Sequence, residues 1–239
     1  MDTIKISRGN TKIIAHRGLS GIELENTCSA FVAAGNRSYF GIETDVHITS
    51  DGKFVIFHDD TTGRLAGDNM TVEETSMETL QNLILFDKDG TKIRRDLRMP
   101  TLVDYIKICK KYDKIAVLEL KNRFQAAEIY EIAEIIKEFD YLDNTIFISF
   151  ELDNLIDLRA KYPNTTAQYL VDDYSHDLIE ILKANKLDLD IKYTSLTKDI
   201  IENLHYNGIK VNCWTCDDKK AAEDLVAWGI DYITSNILE

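Results

Sequence analysis

Short β-rich runs alternate with amphipathic helical stretches along nearly the whole chain, and that rhythm admits few architectures. A strand, a helix and a second strand running the same way build a parallel sheet with helices packed on it. Strands are expected over Lys12–His16, Phe40–Val46, Lys53–His58, Lys114–Leu120, Thr145–Phe150, Thr166–Val171, Leu187–Ile191, Ile209–Thr215 and Asp231–Thr234. Helices are expected to open near Asn26 and Thr27, and to run over Phe124–Phe139, Leu152–Lys161, His176–Asn185, Leu196–Tyr206 and Asp217–Trp228. Gly208 and Gly229 follow the last two, where a helix end favours a left-handed residue.

Nine strands are one too many for an eight-stranded barrel. Asp51-Gly52 resolves the excess, because it is a strong hairpin signal between two β-type runs. A two-residue turn there pairs Ser50 with Lys53 and sets His58 opposite Asp45. The run Lys53–His58 then returns antiparallel, and eight parallel strands remain. The fold class is therefore a (β/α)8 barrel with a small insertion subdomain after the second strand. The expected organisation is one barrel over residues 1–239, with the insertion at about 59–99. Thr71 with Glu74 reads as a capping box for a helix to Leu83, Thr101 with Asp104 resembles one, and Asp89-Gly90 reads as a second turn. The chain ends soon after the last strand, so an eighth outer helix is expected to be missing or vestigial.

Charge limits the partners. The 239 residues carry a formal net charge of −13, which disfavours nucleic acid and stable membrane association. No apolar run reaches the roughly 18 residues of a membrane span, and the polar start has no signal-peptide core, so the expected compartment is the cytoplasm. Cys213 and Cys216 match C-x-x-C, yet they end an apolar strand and have no partner pair for zinc. They read as core.

Charged side chains gather where apolar strands end: His16-Arg17, Glu43-x-Asp45, His58 and Glu119-x-Lys121. Residues two apart share a strand face, so Glu43 joins Asp45 and Glu119 joins Lys121. A buried ion-pair network is the structural alternative, but the C-terminal strand ends of a barrel are its active-site face. Three carboxylates there suit a hard divalent cation, Mg²⁺, Ca²⁺ or Mn²⁺, over zinc. His16 and His58 supply an acid and a base near neutral pH. Arg17 and Lys121 supply positive charge for an anionic oxygen group. The set reads as metal-assisted cleavage of a phosphate ester.

His16-Arg17-Gly18, Glu25-Asn26-Thr27, Glu43-x-Asp45, Thr49-x-Asp51-Gly52, His58-Asp59, Glu119-x-Lys121 and Trp214-Thr215 together resemble the glycerophosphodiester phosphodiesterase family. The resemblance runs in order from residue 13 to about residue 234. It implies a (β/α)8 barrel with an insertion after the second strand, a divalent metal, and a small glycerophosphodiester cleaved to glycerol 3-phosphate and an alcohol. It implies Glu43, Asp45 and Glu119 as metal ligands, His16 and His58 as the acid–base pair, and Arg17 and Lys121 as phosphate clamps. Trp214 corresponds to an apolar wall, Arg64 to an arginine following the second histidine, and Glu25 and Asn26 to the turn of the first loop, with Asn26 within reach of metal or phosphate. Phospholipase D-like cleavage of lysophospholipids and a catalytically silent phosphate-binding barrel are the alternatives.

Three departures stand out. Leu24 replaces a proline, Thr234-Ser235-Asn236 lacks the usual Thr-Asp and proline, and Asp217 stands where an asparagine is usual. They are expected to affect the mouth and substrate preference more than the chemistry. His47 is expected near the substrate, and His176 and His205 on the surface. Lys92, Arg94, Arg95 and Arg98 form a basic cluster in the insertion, read as a solubilising patch or else a contact to an anionic head group.

Overall fold

The structure is a computed structural model and describes residues 2–239. In chain order, β1 (Lys12–Ala15) and α1 (Cys28–Gly35) lead to β2 (Gly41–Ile48) and β3 (Phe54–Ile56). The short helices α2 (Gly63–Ala66) and α3 (Met77–Asn82) precede α4 (Leu102–Tyr112). The regular alternation follows: β4 (Ile115–Leu120), α5 (Ala126–Glu138), β5 (Thr145–Ser149), α6 (Leu152–Lys161), β6 (Thr166–Val171), α7 (Leu178–Asn185), β7 (Asp188–Lys192), α8 (Lys198–Tyr206), β8 (Val211–Trp214), α9 (Lys219–Ala227) and β9 (Tyr232–Ser235).

Eight strands pair in parallel in the order β1-β2-β4-β5-β6-β7-β8-β9, and β9 closes on β1. Closure leaves no free edge, and β3 lies outside it, antiparallel to β2. This is the expected (β/α)8 barrel. No helix follows β9 among the described residues. The main apolar core lies between strands and helices, with Ile13, Ile42, Phe31, Leu118, Ile132 and Leu189 fully buried. The alternate strand residues, such as Ile14, Val117, Ile146 and Leu170, pack together as a second cluster.

The hairpin differs from expectation by one residue. His47 pairs with Val55 and Ile48 with Phe54, so Thr49 meets Lys53 across a three-residue loop. Thr49 selects that register: its hydroxyl donates to Asp51 and accepts from the Lys53 N–H. Gly52 supplies the left-handed residue such loops need, at φ +69°. Phe57, not His58, therefore lies against Asp45, through Phe57 N–H to Asp45 O at 3.1 Å.

Thr101 and Asp104 do form a reciprocal capping box, with Asp replacing Glu. The helix expected from Thr71 does not form. Thr71 bridges to Thr61, and α3 starts later, capped by Ser76. Between β3 and α4 the chain builds an apolar cluster of its own around Leu65, Val72, Leu80, Leu85 and Leu97, on which Val55 and Phe57 also pack. Cys213 and Cys216 are buried free thiols, and burial raises both pKa values, so the core reading stands.

Candidate active site

Parallel pairing delivers the acidic residues together. Glu43 lies beside Val117, and Asp45 beside Glu119, across β2 and β4. Glu43, Asp45 and Glu119 are buried, and one carboxylate oxygen of each lies within 4.8 Å of the others. Burial, then repulsion from Asp45, pushes the Glu119 carboxyl up to about 7. Glu43 is raised for the same reasons. Burial also acts to raise Asp45, but Arg17 and Lys121 outweigh it and hold the acid below its ordinary range.

Cations brace this cradle without completing it. Lys121 Nζ lies 3.0 Å from Glu119 Oε1 and 3.7 Å from Asp45 Oδ1. Both of those oxygens are sealed from solvent yet lack an aligned hydrogen-bond donor. Such orphaned buried carboxylate oxygens are costly. An oxygen-only donor set with unmet negative charge fits a hard divalent cation.

The first loop is built tightly against the cradle. Arg17 and Asn26 both take left-handed backbone, at φ +52° and +53°. That geometry points the Arg17 N–H at Glu43 Oε2, 2.8 Å away, while its guanidinium pairs with Glu25 at 2.8 Å. Gly18 follows at φ +75°, and a Cβ there would lie 2.7 Å from the Ala30 backbone. Asn26 donates to Asp45 Oδ2 at 2.7 Å and accepts from Thr44. These bonds orient the Asp45 carboxylate.

The two histidines have different partners. His16 leaves β1 with Nδ1 2.8 Å from Asn236 Oδ1 and Nε2 3.9 Å from Glu43 Oε2. Burial, reinforced by Arg17, lowers its pKa to about 4. His58 Nδ1 lies 2.7 Å from Asp59 Oδ1. Arg64 grips Asp59 and also Glu25, tying the His58 segment to the first loop. Burial acts to raise Asp59, but its bonds to Arg64 and His58 prevail and hold the acid near 2. Burial lowers the His58 pKa as well.

A cavity of about 100 Å³ brings together His16, Arg17, Glu43, His58, Glu119 and Trp214. Trp214 packs edge-on against Phe150 at 5.5 Å, and its indole N–H has no partner among the described residues. Larger cavities exist, such as one of about 530 Å³ beside the hairpin tip, but that one gathers no acid–base pair.

Several expectations change. His47 is fully buried and bonds Glu73 at 3.1 Å, with Nε2 3.4 Å from the His58 carbonyl. It braces the His58 segment and is walled off from a substrate. His205 pairs with Asp231, and it and His176 are exposed as expected. The basic cluster is largely spent internally: Lys92 on the Ala66 carbonyl and the Phe86 ring, Arg94 on Glu23 and Asp96, and Arg98 on Gln81 O. Two of the departures meet behind His16: Asn236 bonds its Nδ1, and Asp217, in the loop after β8, bonds Asn236. Asp190 is a further acid at the site. It is buried in the cavity wall with one unpartnered oxygen. Its alternation with Asp188 on β7 was the same signal that revealed Glu43 and Asp45.

Comparison with known proteins agrees with this geometry. Residues 16–238 match the glycerophosphoryl diester phosphodiesterase family. A glycerophosphodiester phosphodiesterase of Caldanaerobacter subterraneus is 29% identical over 232 residues, covering 95% of this chain and 94% of that one. A phosphodiesterase of Oleispira antarctica, solved with its product sn-glycerol-3-phosphate, superposes with a TM-score of 0.88 at 26% identity, covering 98% of this chain and 96% of that one. A glycerophosphodiester phosphodiesterase of Thermotoga maritima gives 0.77 at 26% identity, with 95% and 94% covered. The chain thus belongs to the glycerophosphoryl diester phosphodiesterase family.

Proposed function

We propose that the chain hydrolyses a small glycerophosphodiester to glycerol 3-phosphate and an alcohol, with His16 and His58 as the acid–base pair and Glu43, Asp45 and Glu119 holding a divalent cation, Mg²⁺ or Ca²⁺. One observation carries this reading: a cluster of three buried carboxylates presents Glu43 and Glu119 to one small cavity that both imidazoles also line. A bound divalent cation supplies positive charge against the phosphoryl oxygens and lowers the pKa of an attacking hydroxyl.

The side chains do the rest. Arg17 and Lys121 flank the cradle and clamp phosphate oxygens. His16, kept neutral by burial, removes the proton of the substrate's free glycerol hydroxyl, which attacks phosphorus and closes a cyclic phosphate. The Asp59 carboxylate can only accept, so His58 holds one proton on Nδ1 towards Asp59 and, as the imidazolium, gives a second from Nε2 to the departing alkoxide. Water then opens the ring with the two roles exchanged. Trp214 walls the glycerol side. A cavity of about 100 Å³ is far below the roughly 300–1,000 Å³ of pockets that enclose drug-sized ligands. It admits a compact group and leaves the head group outside.

The test measures head-group alcohol release from glycerophosphocholine, glycerophosphoethanolamine, glycerophosphoglycerol and a lysophospholipid, which leaves glycerol 3-phosphate from the first three and lysophosphatidic acid from the last. Release from the first three should vanish in EDTA and return with Mg²⁺ or Ca²⁺. Turnover that survives exhaustive chelation would sink the cation assignment. Activity on the lysophospholipid alone would move the substrate class to that of a lysophospholipase D.

A further inference from the structure

The hydrogen-bond chain behind His16 leads back to a charged end that can act only as an acceptor. Asp217 lies in the loop after β8, and Asn236 follows β9. Asn236 Nδ2 donates to Asp217 Oδ2 at 2.6 Å. Asp217 Oδ1 meanwhile accepts from the Asn236 N–H at 2.8 Å and from Ser235 Oγ at 2.7 Å. A carboxylate has no proton to give, so the face of the Asn236 amide turned to Asp217 must be its NH₂. The opposite face, 2.8 Å from His16 Nδ1, is then the carbonyl oxygen. A carbonyl oxygen only accepts, so in the neutral ring Nδ1 carries the hydrogen and Nε2 carries the lone pair. The Ser20 hydroxyl closes the arrangement: it reaches Asn236 Oδ1 at 2.6 Å and the His16 carbonyl at 2.7 Å, both acceptors for its single proton.

We propose that Asp217 and Asn236 are positioning residues that select the tautomer of His16, fixing the lone pair on the nitrogen that faces Glu43 and the cavity. Neither touches the reacting atoms; both act through the imidazole ring. These are two of the positions at which the chain departs from its family pattern.

The geometry makes an unusual demand on Asp217→Asn. The side-chain amide introduced by that substitution would keep an oxygen for Ser235 and the Asn236 backbone N–H, so the loop retains two of its bonds. Its NH₂, however, would face the NH₂ of Asn236. The conflict ends if Asn236 turns over, placing its NH₂ on His16 Nδ1 and on Ser20 Oγ, which still donates to the His16 carbonyl. That network is also complete, but it holds the hydrogen on Nε2 and takes the lone pair out of the cavity. Exchanging the two residues, in Asp217→Asn with Asn236→Asp, restores an acceptor behind His16 and a donor behind that acceptor.

The test combines ring-nitrogen NMR with kinetics on Mg²⁺-loaded protein. Histidine is labelled with ¹⁵N, and the His16 signals are identified by their loss in His16→Gln. Wild type should show the Nδ1–H form at pH 8, Asp217→Asn the Nε2–H form, and the exchanged double variant Nδ1–H again. Glycerol 3-phosphate release should lose about 10–100-fold in kcat in Asp217→Asn, as for other outer-layer partners, with little change in KM, and recover most of it in the double variant. An Nε2–H ring in wild type overturns the proposal. So does Nδ1–H in Asp217→Asn with full kcat, or a double variant as impaired as the single one. The inference rests on His16 acting as a base, but the NMR readout does not. A correct tautomer in a protein without turnover would reject the proposed function and leave the hydrogen-bond chain standing.

Discussion

Replacing Glu119 by Gln should stabilise the metal-free protein at alkaline pH while abolishing its response to cations. The buried carboxyl is displaced from its ordinary 4.5 to about 7. At about 1.4 kcal/mol per tenfold change in proton affinity, this amounts to about 3 kcal/mol. The sign follows from proton counts. Between pH 4.5 and 7 the folded protein holds the Glu119 proton and the unfolded chain has released it, so stability falls as pH rises through that window. Above pH 7 the penalty is complete and constant. His16 acts oppositely over nearly the same range: its pKa is lowered from 6.5 to about 4, so its contribution rises with pH. The wild-type profile is thus partly self-cancelling, and the difference between wild type and Glu119→Gln isolates the acid. Denaturant unfolding in EDTA at pH 5, 6, 7 and 8 should show that difference growing to about 3 kcal/mol in favour of the variant. In thermal terms this is about 6–12 °C for a domain of this size. Mg²⁺ or Ca²⁺ should stabilise wild type alone. A variant less stable than wild type in EDTA at pH 8 would refute the claim that the cradle is strained by its own charge.

His58→Ala should lower kcat by about 10²–10⁴-fold with metal affinity unchanged. A substrate with a p-nitrophenol leaving group should lose much less rate, because that anion departs without a proton; equal loss on both substrates would reject His58 as the acid. Gly18→Ala should destabilise by about 1–3 kcal/mol in denaturant titrations, since the residue is left-handed and its Cβ would collide with Ala30. Because Lys92 and Arg98 are bonded within the insertion and Arg94 ties it to Glu23 of the first loop, neutralising all four residues of the basic cluster should lower Tm while leaving KM equal for anionic and zwitterionic head groups. A rise in KM confined to the anionic substrate would restore the head-group role.

The barrel was legible because strand and helix periods differ and because a Gly-bearing turn marked the one antiparallel strand. The cradle was legible because charged residues two apart near a strand end have few inert explanations. What failed was local competition. The Asp51-Gly52 signal could not reveal that Thr49 would claim both Asp51 and the Lys53 N–H, which moved the hairpin by one residue. Thr71 and Glu74 carry the letters of a cap, yet Thr71 is engaged with Thr61 and Ser76 caps instead. His47 alternates onto the cradle's face as expected, but Glu73 arrives from the insertion to cover it. Asn236 lies 220 residues from His16, a separation that no local pattern spans.

The placement of β3 outside the closed ring divides the enzyme into two mechanical parts. The carboxylates belong to strands whose tilt and spacing are locked by their neighbours around a complete circle, so any shift there must be shared by all eight. His58 rides beyond a three-residue strand outside the ring, bonded to β2 on one edge and only to Pro100 and Thr101 on the other, and steadied by Asp59, Arg64 and His47. Length and sequence changes between residues 59 and 99 can therefore re-aim this arm over the mouth without loosening the cradle. Selection for a new leaving group has a place to act, at the arm that carries the proposed acid, that leaves the carboxylate cradle alone.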